Sequence, residues 1–229
     1  MGALTDPVFL VPSLPAGESA VLDGPEGRHA ATVRRLVPGE QLVLCDGAGG
    51  MAECAVIRVR RDVLDVAVLG RYQVPPPALQ VTVVQALPKG DRGELAVELL
   101  TEAGVDTVVP WQAARCVTRW RDGRADKALA RWRSTAREAA KQARRAWLPV
   151  VTGLASTAGV ARFLAGVEAA FVLHEEANRP LASVALPEVG TVALVVGPEG
   201  GVSPAEVDAF LAAGAVPVRL GPTVLRTST

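Results

Sequence analysis

After residue 78 the chain alternates short β-rich, mostly apolar runs with stretches of helical period, and this constrains its fold more than any other feature. The runs cover 79–87, 105–110, 169–173, 192–196 and 216–220, and helical spacing covers 93–103, 124–147, 156–165 and 203–213. A strand that is apolar along its whole length is buried on both faces. Such strands interleaved with helices predict an α/β domain whose parallel sheet is covered on both sides. In the long helix Ala128, Leu129, Trp132, Ala136, Ala139, Ala140, Ala143 and Trp147 recur at three- and four-residue spacing as an apolar stripe.

The first third of the chain reads differently. Strands are expected over 8–11, 41–45, 51–59 and 63–69, with one short helix within 26–36 that Pro38-Gly39 ends. Asp46-Gly47-Ala48-Gly49-Gly50 supplies a glycine-rich hairpin connection. Pro75-Pro76-Pro77 forms a stiff linker. Two domains follow, a small β unit over 1–73 and the α/β unit over 74–229. No run reaches the roughly 18 apolar residues that span a bilayer. The N-terminus lacks a basic segment followed by a long apolar stretch, so neither a membrane partner nor a signal peptide is expected, and the cytoplasm is the default compartment. Three cysteines without CxxC spacing and two histidines point away from a disulfide framework and from a metal centre.

The net charge of zero conceals a strong asymmetry. Residues 115–145 hold eleven Lys/Arg against three acids, so this stretch is +8 and the remainder −8. Arg124, Lys127, Arg131, Lys141 and Arg145 fall on or near the polar face of the long helix. The lopsided count points to nucleic-acid phosphates, with Arg92 beside the linker added. Trp120, set among arginines, is a candidate for base stacking. Arg28, His29, Arg34 and Arg35 make a second, smaller basic cluster in the first domain.

The sharpest local signal is VVGPEGGVSPAE over 195–206, where a buried strand enters a glycine-rich loop and leaves as a helix. Ser203 is a good N-cap, Pro204 suits the first helical position, and Glu206 completes a capping box. Gly197, Gly200 and Gly201 let a backbone approach a ligand closely. GPEGG is neither GxGxxG nor a P-loop, which weakens the standard dinucleotide and nucleotide-triphosphate readings. Leu220-Gly221-Pro222-Thr223-Val224-Leu225-Arg226-Thr227 and Leu173-His174 lie at two further strand ends. Ligands of open parallel sheets bind outside the carboxyl ends of strands, and three such ends can make an adenosine-sized pocket.

VGPEGGVSPAEV followed by LGPTVLRT resembles the C-terminal part of the SPOUT methyltransferases, which carry a trefoil knot. More narrowly, the chain is similar over nearly its whole length to the bacterial family that methylates N3 of one uridine in small-subunit (16S) ribosomal RNA. LPKGDRGELAVELLTEAGV, REAAKQARR and GRHAATVRRLVPGEQLVLCDGAGG resemble that family's segment after the linker, its basic helix and its N-terminal PUA-like β-barrel domain. Leu99, Ala143-Arg144, Thr223 and Ser228 depart from the family's usual residues. The resemblance implies S-adenosylmethionine (SAM) as cofactor, held by Leu173, His174, Val196, Gly197, Gly200, Gly201, Leu220, Gly221, Leu225 and Thr227. No metal is needed, because the leaving group is already a neutral thioether. Arg226 is the implied catalytic residue, stabilising charge that develops on the uracil. Glu138, Glu199 and His174 are candidate proton acceptors. Arg28, Arg34, Arg92, Arg131, Lys141 and Arg145 are the expected RNA contacts, with ribosomal RNA or the small ribosomal subunit as partner. A homodimer is implied as well.

A non-catalytic RNA-binding or ribosome-assembly factor of the same fold is the competing reading; it would keep the basic helix without binding SAM. A phosphate-binding enzyme using GPEGG as an anion loop would need a nearby lysine, and none follows Lys141. The resemblance also implies a closing C-terminal helix. The sequence stops directly after 225–229, so a missing helix, by truncation or disorder, and weak SAM binding are expected of this chain.

Overall fold

The computed structural model describes residues 6–121, 123–221, 223, 227 and 228. The chain forms two compact units, Met1–Pro76 with Ala140–Leu148, and Pro77–Ala139 with Pro149–Thr229. The return of 140–148 to the first unit was not visible in the sequence.

The first unit contains β1 (Val8–Leu10), β2 (Ser19–Leu22), α1 (Gly24–Arg28), a π-helical turn (His29–Val33), β3 (Gln41–Cys45), β4 (Gly50–Arg60) and β5 (Val63–Gln73). These strands make one sheet in the order β1-β3-β4-β5-β2, antiparallel except for the β1–β3 pair. Strand β2 escapes a periodicity reading because only Leu22 in it is buried. Phe9, Leu22, Leu42, Leu44, Leu64 and Val66 fill one core. A second apolar cluster, Val8, Leu10, Val43, Cys45 and Met51, is covered by Ala146 and Leu148. Trp147 seals that contact, donating Nε1–H to the Val74 carbonyl at 3.0 Å. Gly49 must be glycine here: a Cβ would stand 2.7 Å from the Trp147 ring and 2.6 Å from the Val74 carbonyl.

The second unit runs β6 (Leu79–Ala86), α2 (Arg92–Glu102), β7 (Thr107–Trp111), α3 (Arg124–Gln142), β8 (Val150–Val151), α4 (Thr157–Leu164), β9 (Ala169–Leu173), β10 (Gly190–Val196), α5 (Pro204–Ala212) and β11 (Val216–Val218). Its six strands are ordered β11-β9-β10-β6-β7-β8 and every pair is parallel. Both faces bury apolar side chains. Ala170, Val172, Ala193 and Val195 join the main core with Trp111, Trp132 and Phe210, while Phe171, Val192 and Val218 form a cluster of their own. No helix of the described residues is long and apolar enough to cross a membrane.

The long helix is shorter than its stripe predicts. It ends at Gln142, because Arg144 takes a left-handed φ of 54° while its N–H and that of Arg145 close back onto the Lys141 and Ala140 carbonyls at 3.0 and 2.9 Å. Ala143 and Trp147 therefore leave the stripe. The three cysteines are free and buried, and burial holds each thiol above its ordinary value, Cys54 at about 11. They are unsuited to nucleophilic chemistry at neutral pH.

Candidate functional site

Parallel pairing places the carboxyl ends of β11, β9, β10 and β6 along one edge of the sheet. Val218 is in register with Leu173, Val195 with Val172, and Val196 with Gln85. Three glycine- or histidine-containing connections leave from this edge: Leu173-His174, Val196-Gly197 through Gly201, and Leu220-Gly221. The sequence-predicted cofactor residues at these strand ends are thus brought together. Leu225 and Arg226 lie outside the described residues. Thr227 is buried.

The glycine-rich loop is held from several sides. The Lys89 N–H donates to Glu199 Oε1 at 3.0 Å, and Arg115 Nη1 donates to the Gly200 carbonyl at 3.0 Å. Glu199 is therefore a loop anchor. At the start of α5 the capping box is complete. Glu206, only 4% exposed, accepts from Ser203 N and Oγ at 3.0 and 2.7 Å. It also accepts from Ala114 N at 2.7 Å and Thr157 Oγ1 at 3.1 Å. One carboxylate thus fixes the loop after β10, the segment after β7 and the start of α4. Burial alone would raise its pKa, but these four hydrogen bonds outweigh that and hold it below its ordinary value.

Gly201 has φ of 72°, and a Cβ there would meet nothing nearer than Arg115 Nη1 at 3.8 Å, so the backbone is both left-handed and open. Gly200 has no positive φ and faces the Arg115 side chain at 3.3 Å. Substituting Gly201 by valine is expected to weaken SAM binding at least about tenfold by calorimetry, since a β-branched residue disfavours this φ. An unchanged Kd in the folded variant would remove the loop from the cofactor site.

The fit to an adenosine-bearing cofactor rests on this edge. Leu173 and Val196 are half-buried and Leu220 is 49% exposed, leaving apolar surface at these strand ends, and among the described residues, chain neighbours aside, no atom lies within 4 Å of a Cβ built on Gly221. Apolar side chains that sandwich a ring, with backbone groups that read its edge, suit an adenine. His174 is tied within its own turn, Nδ1 accepting from the Glu176 N–H at 3.3 Å. A residue that sequence reasoning missed is Gln85, at the end of β6 and 1% exposed, whose Nε2 donates to the Thr227 and Ala86 carbonyls at 3.1 and 3.0 Å. A glutamine near the carboxyl end of the strand was its only signal in the sequence.

The family described as RNA methyltransferase domain matches residues 75–229, and an RNA methyltransferase PUA domain matches 22–69. The ribosomal RNA small subunit methyltransferase E of Mycobacterium bovis is 55% identical over 227 residues, covering 97% of this chain and 87% of that protein. The chain belongs to the ribosomal RNA small subunit methyltransferase E family. The SAM-bound structure of the Neisseria gonorrhoeae enzyme superposes with a TM-score of 0.84 at 26% identity, covering 97% and 92% of the two chains. A SAM-bound Legionella pneumophila methyltransferase gives 0.86 at 26% identity, covering 98% and 93%.

Placed in this family member, the expected RNA contacts separate. Arg34 and Arg92 are exposed. Arg28 is exposed and lies 3.6 Å from Asp62, and Arg131 is exposed and pairs with Glu94 at 3.1 Å. Arg145 is half-buried in the first unit. Lys141 is a correction. Its side chain is 5% exposed and its ammonium pairs with Glu26 at 3.0 Å, so it is a structural cation of the first unit and cannot reach a phosphate. Trp120 is corrected too: it packs edge-on against Trp132, ring centroids 5.1 Å apart, as part of the core's edge.

Proposed function

We propose that this chain methylates N3 of one specific uridine in 16S ribosomal RNA, acting as a homodimer in the cytoplasm, with its cofactor segment threaded as a SPOUT trefoil knot. The observation that carries the reading is the convergence of three parallel strand ends, one of them the left-handed, open glycine loop at Gly201. When bound, S-adenosylmethionine supplies an electrophilic methyl group on a sulfonium. The chain's residues hold the uracil for in-line attack and manage the charge left when N3 loses its proton. In this reading Arg226 donates to a uracil carbonyl and stabilises that charge as it develops. Leu173, Val196 and Leu220 enclose the adenine, and the backbone around Gly200, Gly201 and Gly221 reads its edge. Arg28, Arg34, Arg92, Arg131 and Arg145 contact phosphates and fix the register of the RNA.

The test is to incubate the purified protein and SAM with small subunits from cells lacking the corresponding gene, then map modified bases by mass spectrometry. A single new 3-methyluridine is expected. SAM-independent RNA binding with no methylated base would favour the assembly-factor reading, and methylation of another atom would correct the target.

A further inference from the structure

The connection after β7 is a braced loop set against the glycine-rich turn. Gln112 clasps it from inside: Nε2 donates to the Thr118 carbonyl at 3.1 Å, and Oε1 accepts from the Trp120 N–H at 3.3 Å. Thr118 Oγ1 donates to the Pro88 carbonyl at 2.7 Å, which ties the loop to the connection after β6. Glu206 holds the Ala114 N–H, and the Cys116 N–H closes a turn onto the Ala113 carbonyl at 3.2 Å. Ala113 and Cys116 are buried, so the exposed Arg115 between them is carried on a fixed frame.

Arg115 lies along the loop after β10. Its Nη1 donates to the Gly200 carbonyl at 3.0 Å, and a Cβ built on Gly200 would stand 3.3 Å from the Arg115 Cβ. A guanidinium carries five N–H donors. Among the described residues that carbonyl alone accepts from Arg115, and no carboxylate pairs with it. The charged and titratable groups around it are otherwise engaged or buried. Glu199 accepts from the Lys89 N–H, Glu206 accepts from the Ala114 N–H, Arg119 donates to the Ala114 carbonyl at 3.3 Å, and the Cys116 thiol is buried. In the strand order β11-β9-β10-β6-β7, the ends of β11, β9 and β10 carry the proposed adenine contacts, and β7 lies on the other side of β10. Arg115 thus borders the glycine-rich turn from the side that those contacts leave to the base.

Uracil N3 lies between two carbonyls, and charge left on N3 spreads over both oxygens. We propose that Arg115 is a second catalytic residue, donating to the uracil carbonyl that Arg226 does not meet, an inference resting on the uridine-N3 methyltransferase reading above. N3 gives its proton to solvent, its electron pair forms the new N–CH3 bond, and the S–CH3 pair stays with sulfur. A donor already held by the fold stabilises the developing charge without reorganising. Two such donors also select uracil, because cytosine presents an amino group where one of them needs an acceptor.

A cation beside the base lowers the pKa of its N3–H, so the wild-type rate should rise with pH and level off earlier than that of a variant lacking the cation. The test is single-turnover methylation of small subunits that lack the modification, across a pH series, with SAM saturating for each variant as judged by its calorimetric Kd. Arg115→Ala should be about 100-fold slower than wild type at neutral pH, with the gap narrowing as pH rises and the Tm unchanged. Arg115→Lys keeps a cation and should move the profile back toward wild type. A rate near wild type in the alanine variant overturns the proposal. So does a loss that is equal at every pH, or a lysine profile identical with that of alanine; either marks Arg115 as an anchor of the Gly200 loop and nothing more. The wild-type protein, assayed first, separates the two readings. Absence of 3-methyluridine there sinks both, whereas full wild-type conversion with an unimpaired alanine variant sinks the role of Arg115 alone.

Discussion

Truncating Glu206 to alanine is expected to destabilise the protein by about 3 kcal/mol, read as a lowered midpoint in urea unfolding. The magnitude follows from what the carboxylate satisfies. It is buried and accepts four hydrogen bonds, from Ser203 N, Ser203 Oγ, Ala114 N and Thr157 Oγ1. Alanine leaves the Ala114 N–H, far from α5 in sequence, with no acceptor from this side chain, and it removes the capping box. Hydrogen bonds to a charged group are worth more than neutral ones, and a donor left unmet in the interior adds its desolvation cost. A Glu206→Gln variant keeps the volume and an acceptor oxygen and should lose about half as much. A loss below about 1 kcal/mol in the alanine variant would show that the three elements are held together by packing alone.

The same carboxylate gives the fold an acid-sensitive component. Glu206 is held below its ordinary 4.5 in the folded state. A depressed folded pKa contributes stability that is complete above the unfolded value and is lost as pH falls through the folded one. Wild-type stability should therefore decline below about pH 4.5 more steeply than that of Glu206→Gln, which has no proton to take up there. Equal slopes would place the acid sensitivity elsewhere.

What could be read from sequence was local. Ser203, Pro204 and Glu206 announce the start of α5 within four residues, and the apolar runs announce strands because burial on both faces leaves no alternation. Partners distant along the chain were not legible. Lys141 sits on the polar side of its helix by periodicity, and only Glu26, 115 residues upstream, shows that it is buried. Trp120 reads as an exposed ring until Trp132 is seen against it. The helix stop at Gln142 was missed because arginine, and not glycine, makes the left-handed turn at 144. At the cofactor edge, the glycines marked the loop, while Arg115 and Gln85, which fix its surroundings, carry no motif, and nothing local in the segment around Lys89 shows that its N–H meets Glu199.

Arg226→Ala is expected to slow single-turnover methyl transfer by about 100-fold while changing the SAM Kd by less than about threefold. A donor aimed at charge that appears only as N3 is methylated contributes little before that point, so its loss falls on the chemical step. Gln85 provides the contrasting variant. Its buried amide holds the Thr227 carbonyl, immediately after Arg226 in the chain, at 3.1 Å. Gln85→Leu keeps comparable bulk and removes that bond, so the segment carrying both Arg226 and the proposed cofactor contacts at Leu225 and Thr227 loses an anchor. A misplacement of about 1 Å can cost about 100-fold in rate. The leucine variant should therefore lose rate and SAM affinity together, where Arg226→Ala loses rate alone. If Arg226→Ala keeps a rate within twofold of wild type while Gln85→Leu loses both properties, the segment matters for binding the cofactor and Arg226 is not the catalytic residue.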